Sequence, residues 1–167
     1  MIRPAVADDV PAILELIRGL AIYEKLGDLV VARADDLREH LFGARPFAEC
    51  LIAEDGGTAV GFALFFHNYS TFRGRPGIYL EDLFVRPEYR GEGHGKALFA
   101  ELARIAFERG CEFLQWSVLD WNTAAIDFYV RLGAVTHPGW LLYWLTDGPL
   151  RAIARDISRG ESIESEQ

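Results

Sequence analysis

A strand, a glycine-rich turn and a helix follow one another between residues 78 and 109, and they constrain the fold more than any other segment. The apolar run from Ile78 to Val85 is typical of a buried strand. The turn after it contains three glycines, and the next apolar residues recur at helical spacing up to Arg109. Glycine lets a backbone approach a ligand closely, and the first N–H groups of a helix have no acceptor inside it. Because the helix dipole adds partial positive charge there, the segment predicts a site for phosphate.

The spacing of the glycines excludes two common kinds of phosphate-binding loop. A dinucleotide loop would read G-x-G-x-x-G, and a nucleoside triphosphate loop would need Gly-Lys-Ser/Thr. Gly91, Gly93 and Gly95 fit neither pattern, and Lys96 is followed by alanine. The pattern that remains is Arg90-x-x-Gly93-x-Gly95, which by itself also fits a purely structural turn between strand and helix.

The rest of the chain predicts a mixed sheet covered by helices. Strands are predicted at 2–6, 48–53, 60–69, 78–85, 113–119 and 140–145, and helices from Asp8 or Asp9, Asp35 or Asp36, His94 and Asn122, and after Gly148. The turn at 54–57 predicts an antiparallel hairpin, whereas the strand–helix–strand unit around the glycines is parallel and right-handed. Gly110 and Gly133 are predicted to end the helices before them. The expected fold class is therefore α/β (α+β), with a mixed, mostly antiparallel sheet and helices on both faces.

Length and composition predict a single domain at residues 1–159, followed by a frayed tail at 160–167. Of the 167 residues, 50% are hydrophobic, which is enough for a core without disulfides or metal. No apolar run approaches the roughly 18 residues of a membrane span, and the N-terminus lacks a signal-peptide pattern. Cys50 and Cys111 are expected to be reduced thiols of a cytoplasmic protein. The net charge of −8 argues against nucleic acid as a partner and favours a cationic substrate.

Further motifs occur in one order along the chain. They are Ile2-Arg3-Pro4-Ala5, Leu20-Ala21-Ile22-Tyr23-Glu24, Ser70-Thr71-Phe72-Arg73-Gly74-Arg75, Tyr79-Leu80-Glu81-Asp82-Leu83-Phe84-Val85, Val118-Leu119-Asp120-Trp121-Asn122, Ile126-Asp127-Phe128-Tyr129 and Leu132-Gly133-Ala134. With the arginine–glycine pattern, these motifs resemble the GNAT superfamily of N-acetyltransferases, in particular its diamine and thialysine N-acetyltransferase branch. The resemblance extends to about residue 145.

The resemblance implies an enzyme that transfers an acetyl group from acetyl-coenzyme A directly to a primary amine of a small molecule. That amine would belong to a thialysine-like amino acid, a diamine or a polyamine. The implied GNAT fold has a splayed parallel strand pair, which leaves backbone groups for the pantetheine arm and one N–H to stabilise charge on the thioester oxygen. The residues implied to bind the cofactor are Leu83, Phe84, Val85, Arg90, Gly91, Glu92, Gly93, His94, Gly95, Lys96, Asn122, Ala125 and Tyr129.

The resemblance makes Tyr129 the expected general acid. Asn122 lies seven residues earlier, so both side chains share a helix face about 10 Å apart along the axis. A phenol with a pKa near ~10 can protonate a departing thiolate whose thiol has a pKa near ~8.5 while charge builds up on sulfur. The alternative for Tyr129 is a core residue of an amphipathic helix.

Carboxylates are expected to handle the amine, because a primary amine with a pKa near ~10.4 is almost fully protonated at neutral pH. The resemblance implies that Glu81 contacts the substrate and acts as the base, directly or through water. Asp82 would point to the face of the strand opposite Glu81 unless a bulge intervenes. Its expected role is to bind substrate, to anchor structure or a water, or to form a salt bridge between subunits. Tyr23 and Glu24 are the other implied substrate contacts, with a solvated helix-end charge as the alternative for Glu24. Asp120 and Trp121, at the mouth between strand and helix, are expected to border the amine.

Alternative functions and partners stay open at this level. A protein lysine or N-terminal acetyltransferase is one, and a non-catalytic acyl-coenzyme A sensor is another, although binding alone would need neither Tyr129 nor Glu81. No metal is predicted, because the histidines show no ligand spacing with the cysteines, and the role of His94 stays open. The apolar run at 140–145 is compatible with a homodimer, which is frequent in the family, and equally with a buried strand.

Overall fold

The computed structural model describes residues 1–159, and they fall into two compact units. The first unit is Met1–Leu119, and the second begins at Asp120. The single-domain expectation stays a prediction.

The first unit contains a five-stranded mixed sheet with three main helices. Its elements are β1 Ile2–Pro4, α1 Val10–Tyr23, α2 Ala34–Phe42, β2 Glu49–Asp55, β3 Thr58–Ser70, β4 Arg75–Val85, α3 His94–Glu108 and β5 Leu114–Gln115, with 3₁₀ turns at 7–9, 27–29 and 87–89. The strand order is β1-β2-β3-β4-β5, with antiparallel pairs throughout except for the parallel pair of β4 and β5. The predicted fold class is confirmed.

Helices cover both faces of this sheet, and the alternation of strand residues explains why. On β2, Leu51 and Ala53 pack with α3, whereas Cys50 and Ile52 pack with α1 and α2. Successive strand side chains point to opposite faces, so a strand buried on both sides reads as a continuous apolar run. This is why the sequence of β2 shows no alternation of polar and apolar residues.

Local turn chemistry agrees with several expectations. Gly56 and Gly57 both have positive φ angles, of 53° and 80°, and form the two-residue turn of the β2–β3 hairpin. Gly110, with φ of 68°, follows the end of α3 as predicted.

The helix starts differ from expectation. Asp9 precedes α1, but its carboxylate accepts from the N–H of Val6 and pairs with Arg3 at 2.7 Å. Both partners come before Asp9 in the chain, and its side chain does not cap α1. Helix α2 starts at Ala34, one residue before the predicted aspartates, and Asp36 pairs with Arg33 at 3.1 Å instead of capping the helix.

Two predicted strands are wrong in extent or in existence. Only Leu114–Gln115 of the expected strand 113–119 pairs with β4, because the two strands diverge after that point. Within residues 1–159 no strand forms at 140–145, whose side chains are 51% to 84% exposed. An apolar run makes a strand only where a neighbouring backbone satisfies its N–H and C=O groups.

The second unit contains α4 Thr123–Arg131 and α5 Asp147–Arg159. Asn122 caps α4 as predicted, since its side-chain oxygen accepts from the N–H of Ala125 at 3.3 Å. Gly133 follows the helix with φ of 88°, and α5 matches the helix expected after Gly148. The predicted frayed tail at 160–167 lies outside the described residues.

Across residues 1–159, none of the helices has the length and apolar character needed to cross a bilayer.

Candidate active site

The glycine loop leaves a helix N-terminus open to solvent. Gly91 and Gly93 have φ angles of 85° and 90°, a conformation that side-chain-bearing residues rarely adopt. The first intrahelical bond of α3 runs from the N–H of Ala97 to the carbonyl of Gly93 at 2.9 Å, so the N–H groups of residues 94–96 precede the helical ladder. A Cβ added at Gly91 or Gly93 would meet no atom within 4 Å. The loop therefore presents N–H groups at an uncrowded helix N-terminus, an arrangement that can bind an anion.

Beside this loop, the last part of β4 is open along one edge. Pairing with β5 consists of Ile78 with Leu114 and Tyr79 with Gln115, and in the described part of the chain it goes no further. From Leu80 to Val85 the strand continues to pair with β3 only. The splayed pair predicted from the family resemblance is thus present, at the residues expected to meet a pantetheine arm.

Arg90 does not extend from the loop toward the start of α3. Its Nε donates to the carbonyl of Val85 at 3.0 Å, and its guanidinium carbon lies 4.4 Å from the ring centroid of Tyr23. The ring of Phe84 is 5.6 Å away. The side chain therefore joins the end of β4 to the end of α1.

A small polar cluster includes two residues of the loop. Nε2 of His94 is 3.3 Å from a carboxylate oxygen of Glu92, and Asp55 completes a group whose ligand atoms lie within 4.8 Å of one another. Two of the three side chains are exposed carboxylates, which are common on surfaces without any ion. Lys96 is exposed in the first turn of α3.

A β-bulge at Glu81 decides where the acidic side chains of β4 point. Leu80 is opposite Phe65, and Asp82 is opposite Leu64, so Glu81 is an extra residue in β4. Before the bulge, Leu80 packs toward α3; after it, Leu83 does so, and Phe84 packs toward α1. The bulge therefore places both Glu81 and Asp82 on the α1 side of the sheet. Adjacent strand residues ordinarily point to opposite faces, and a bulge was the exception that the sequence left open.

Three carboxylates converge on this side of the sheet. Burial, together with the smaller effect of the nearby charges of Glu81 and Glu24, raises the pKa of Asp82 to about 7. Burial also raises the pKa of Glu24, at the end of α1. Among residues 1–159, no basic side chain forms a salt bridge with any of the three. The cluster is suited to bind a cation, and a carboxyl with a pKa near neutrality is suited to exchange a proton.

The remaining predicted residues lie in the second unit. Tyr129 is in α4, half-buried, and its burial raises the pKa of its phenol to about 12. Its ring contacts that of Phe128 edge-on, with centroids 5.2 Å apart. Asp120 and Trp121 precede the helix and are exposed. A phenol that keeps its proton is a potential acid.

Comparison with known proteins decides the family. The model of the acetyltransferase (GNAT) family matches residues 19–134, which include the bulge, the glycine loop and Tyr129. The chain belongs to the GNAT acetyltransferase family. Both the family and its thialysine-like branch were predicted from the sequence, and both are confirmed.

Among relatives of this GNAT protein, the thialysine N-epsilon-acetyltransferase of Bos taurus is 42% identical, covering 92% of this chain and 96% of its own. The L-ornithine N5-acetyltransferase NATA1 of Arabidopsis thaliana is 32% identical, with coverages of 91% and 86%. An integron cassette protein from the mobile metagenome of V. cholerae has a similar structure, with a TM-score of 0.77, 25% identity and coverages of 93% and 97%.

Sequence reasoning missed one property of the GNAT site, the raised pKa of Asp82. The motif singled out Glu81 as the base, and Asp82 as an anchor was one of its alternatives. The main cause is the burial of Asp82 behind the bulge, with smaller effects from Glu81 and Glu24, and this burial depends on pairing that a single sequence does not display. The individual roles of the predicted site residues stay predictions.

Proposed function

We propose that this GNAT protein transfers the acetyl group of acetyl-coenzyme A to a primary amine of a small molecule that carries a second ammonium group, either a thialysine-like amino acid or a diamine or polyamine. The observation that carries the proposal is the cluster of Glu24, Glu81 and Asp82, which has no basic partner in the described chain. A second ammonium on the substrate would supply the missing positive charge. The curated relatives named above act on thialysine and on ornithine, and both compounds carry two amino groups.

Two parts of the first unit support binding of the cofactor. The N–H groups of the glycine loop and the start of α3 would hold the diphosphate, with Lys96 as an added positive charge. The open edge of β4 at Leu83, Phe84 and Val85 would hold the pantetheine arm through backbone hydrogen bonds. When bound, acetyl-coenzyme A supplies an acetyl group activated as a thioester.

Proton transfers are assigned to two side chains. Asp82 accepts the proton of the substrate ammonium, directly or through a water, so that the amine nitrogen can bond to the acetyl carbon. Glu81 and Glu24 keep the second ammonium in place. Tyr129 gives its proton to the sulfur as the carbon–sulfur bond breaks. The nitrogen loses a second proton once it has bonded to the acetyl carbon, and that proton restores the phenol through solvent. Asp82 releases the first proton to solvent, so one turnover converts an ammonium and an acetyl thioester into an amide, a thiol and one free proton.

A panel of amines tests this function. We expect release of coenzyme A thiol with thialysine, ornithine and spermidine, and a kcat/KM at least ~10-fold lower with pentylamine, which lacks the second ammonium, because a hydrogen bond to a charged group contributes about 1.5 to 3 kcal/mol. A lysine-containing peptide serves as the comparison for protein substrates. Turnover of the peptide alone would favour a protein acetyltransferase. Binding of coenzyme A without turnover of any amine would favour a sensor.

We also propose that the chain forms a homodimer through the apolar segment 140–145. Trp140, Tyr143 and Trp144 are each at least 75% exposed, and large apolar patches of this kind mark interaction sites. Sedimentation equilibrium is expected to give twice the monomer mass, and the double substitution Leu142→Glu with Trp144→Glu is expected to give the monomer. Phe107→Ser, on the exposed face of α3, is the control that should stay dimeric. A monomeric wild type would rule the segment out as a dimer interface.

A further inference from the structure

Arg90 lies between the part of the molecule proposed to hold the cofactor and the part proposed to hold the amine. One side of its side chain donates to the carbonyl of Val85, at the open end of β4. The planar guanidinium lies over the ring of Tyr23, the last residue of α1, beside Glu24. A guanidinium within about 6 Å of an aromatic centroid is attracted to the negative face of the ring.

The charge of Arg90 is not neutralised by a carboxylate. In the part of the chain that the structure describes, no acidic side chain forms a salt bridge with it. Arg86, four residues earlier, contrasts with it, since its guanidinium pairs with Glu15 at 3.1 Å and donates to the carbonyl of Ala59. Arg90 therefore keeps the capacity to pair with an incoming anion, whereas Arg86 is already engaged.

The face of the Tyr23 ring attracts cations. The ammonium group of a substrate that binds near Glu24 is such a cation. The guanidinium and the ammonium carry the same sign of charge, so they repel each other if both approach the ring of Tyr23. A diphosphate at the start of α3 offers Arg90 a stronger, charge-assisted partner than a ring face and a carbonyl.

We propose that Arg90 is a positioning residue that covers the ring of Tyr23 until a diphosphate draws its guanidinium away. Binding of the cofactor then makes the ring of Tyr23 accessible to the substrate amine. This inference rests on the proposed function and adds a coupling between its two ligands. Since coupling is reciprocal, the amine must strengthen cofactor binding by the same factor as the cofactor strengthens amine binding.

Calorimetry with coenzyme A and thialysine measures this coupling without turnover. In the wild type we expect thialysine to bind about 10-fold more tightly to the protein saturated with coenzyme A, within the usual range of coupling between sites. In Arg90→Gln we expect weaker coenzyme A binding, tighter thialysine binding to the free protein, and a coupling factor near one. Arg86→Gln removes the same charge from the same loop without uncovering Tyr23, so its coupling factor should match the wild type.

Variants of the ring test the same contact from the other side. Tyr23→Phe keeps an aromatic face and should keep the coupling, whereas Tyr23→Leu should lose it. Equal thialysine affinity with and without coenzyme A in the wild type would overturn the inference while leaving the proposed function intact. Equal coupling in Arg90→Gln and the wild type would overturn it as well. A protein that binds neither coenzyme A nor thialysine would refute the proposed function, and with it the coupling.

Discussion

Replacing Tyr129 by phenylalanine is expected to lower kcat by ~10²- to 10⁴-fold, the usual contribution of a positioned general acid. The substitution removes one hydroxyl from a half-buried ring and leaves α4 and its cap at Asn122 in place. Because the pKa of the Tyr129 phenol is raised to about 12, it stays protonated throughout the physiological range and is ready to donate. The loss should therefore fall on the chemical step.

Steady-state kinetics and calorimetry separate this effect from a structural one. The KM for the amine and the Kd for coenzyme A should change little, since the hydroxyl is needed when the thiolate leaves. Tyr69→Phe, at an exposed position of β3, removes a hydroxyl elsewhere and should leave kcat unchanged. If kcat of Tyr129→Phe equals that of the wild type, the tyrosine is a packing residue.

Replacing Asp82 by asparagine is expected to lower kcat at neutral pH by ~10²-fold or more, because the group that accepts the amine proton is lost. The same change should alter how stability depends on pH. The pKa of Asp82 is about 7 in the folded chain against an ordinary 3.8, so between these values the folded state binds more protons than the unfolded state. The stability of the wild type should then fall as pH rises from about 4 to about 7, by on the order of 3 kcal/mol.

Urea unfolding at pH 5 and pH 8, together with kinetics, tests this prediction. Asp82→Asn cannot ionise, so it should lose most of that pH dependence and be more stable than the wild type at pH 8. Glu81→Gln, at the neighbouring bulge position, should mainly raise the KM for the amine. If Glu81→Gln instead abolishes turnover while Asp82→Asn retains it, Glu81 is the base and Asp82 is an anchor.

Predictions from the sequence succeeded where the cause is local. Gly56 and Gly57, Gly110 and Asn122 each act within a few residues, by adopting a positive φ or by accepting an N–H of the next turn. The conformation of the glycine loop belongs to the same class, because a strand end, glycines and a helix start are all contiguous in the chain, whereas its role as a phosphate site stays a prediction.

Predictions failed where the cause is a distant partner. Residues 116–119 were expected to extend β5, but a strand needs a neighbour within hydrogen-bonding distance, and β4 diverges there. The run at 140–145 has strand composition without strand pairing in the described residues. The pKa of Asp82 depends mainly on its burial by the packed sheet and α1, and to a smaller extent on Glu81 and on Glu24, which is 58 positions away in sequence. Such effects require knowledge of the pairing before they can be read from residue types.

The extra residue in β4 has a consequence for how this strand can evolve. The bulge shifts the phase of all residues downstream, so it fixes which side chains lie over α1 and which lie over α3. Straightening the strand without loss of a residue would turn Asp82 toward the apolar layer beneath α3 and Leu83 toward the acidic pocket. Deletion of Glu81 would instead restore regular alternation, keep Asp82 and Leu83 on their present faces and remove one carboxylate. This strand can therefore gain or lose a charge at the site without repacking the helices on either side.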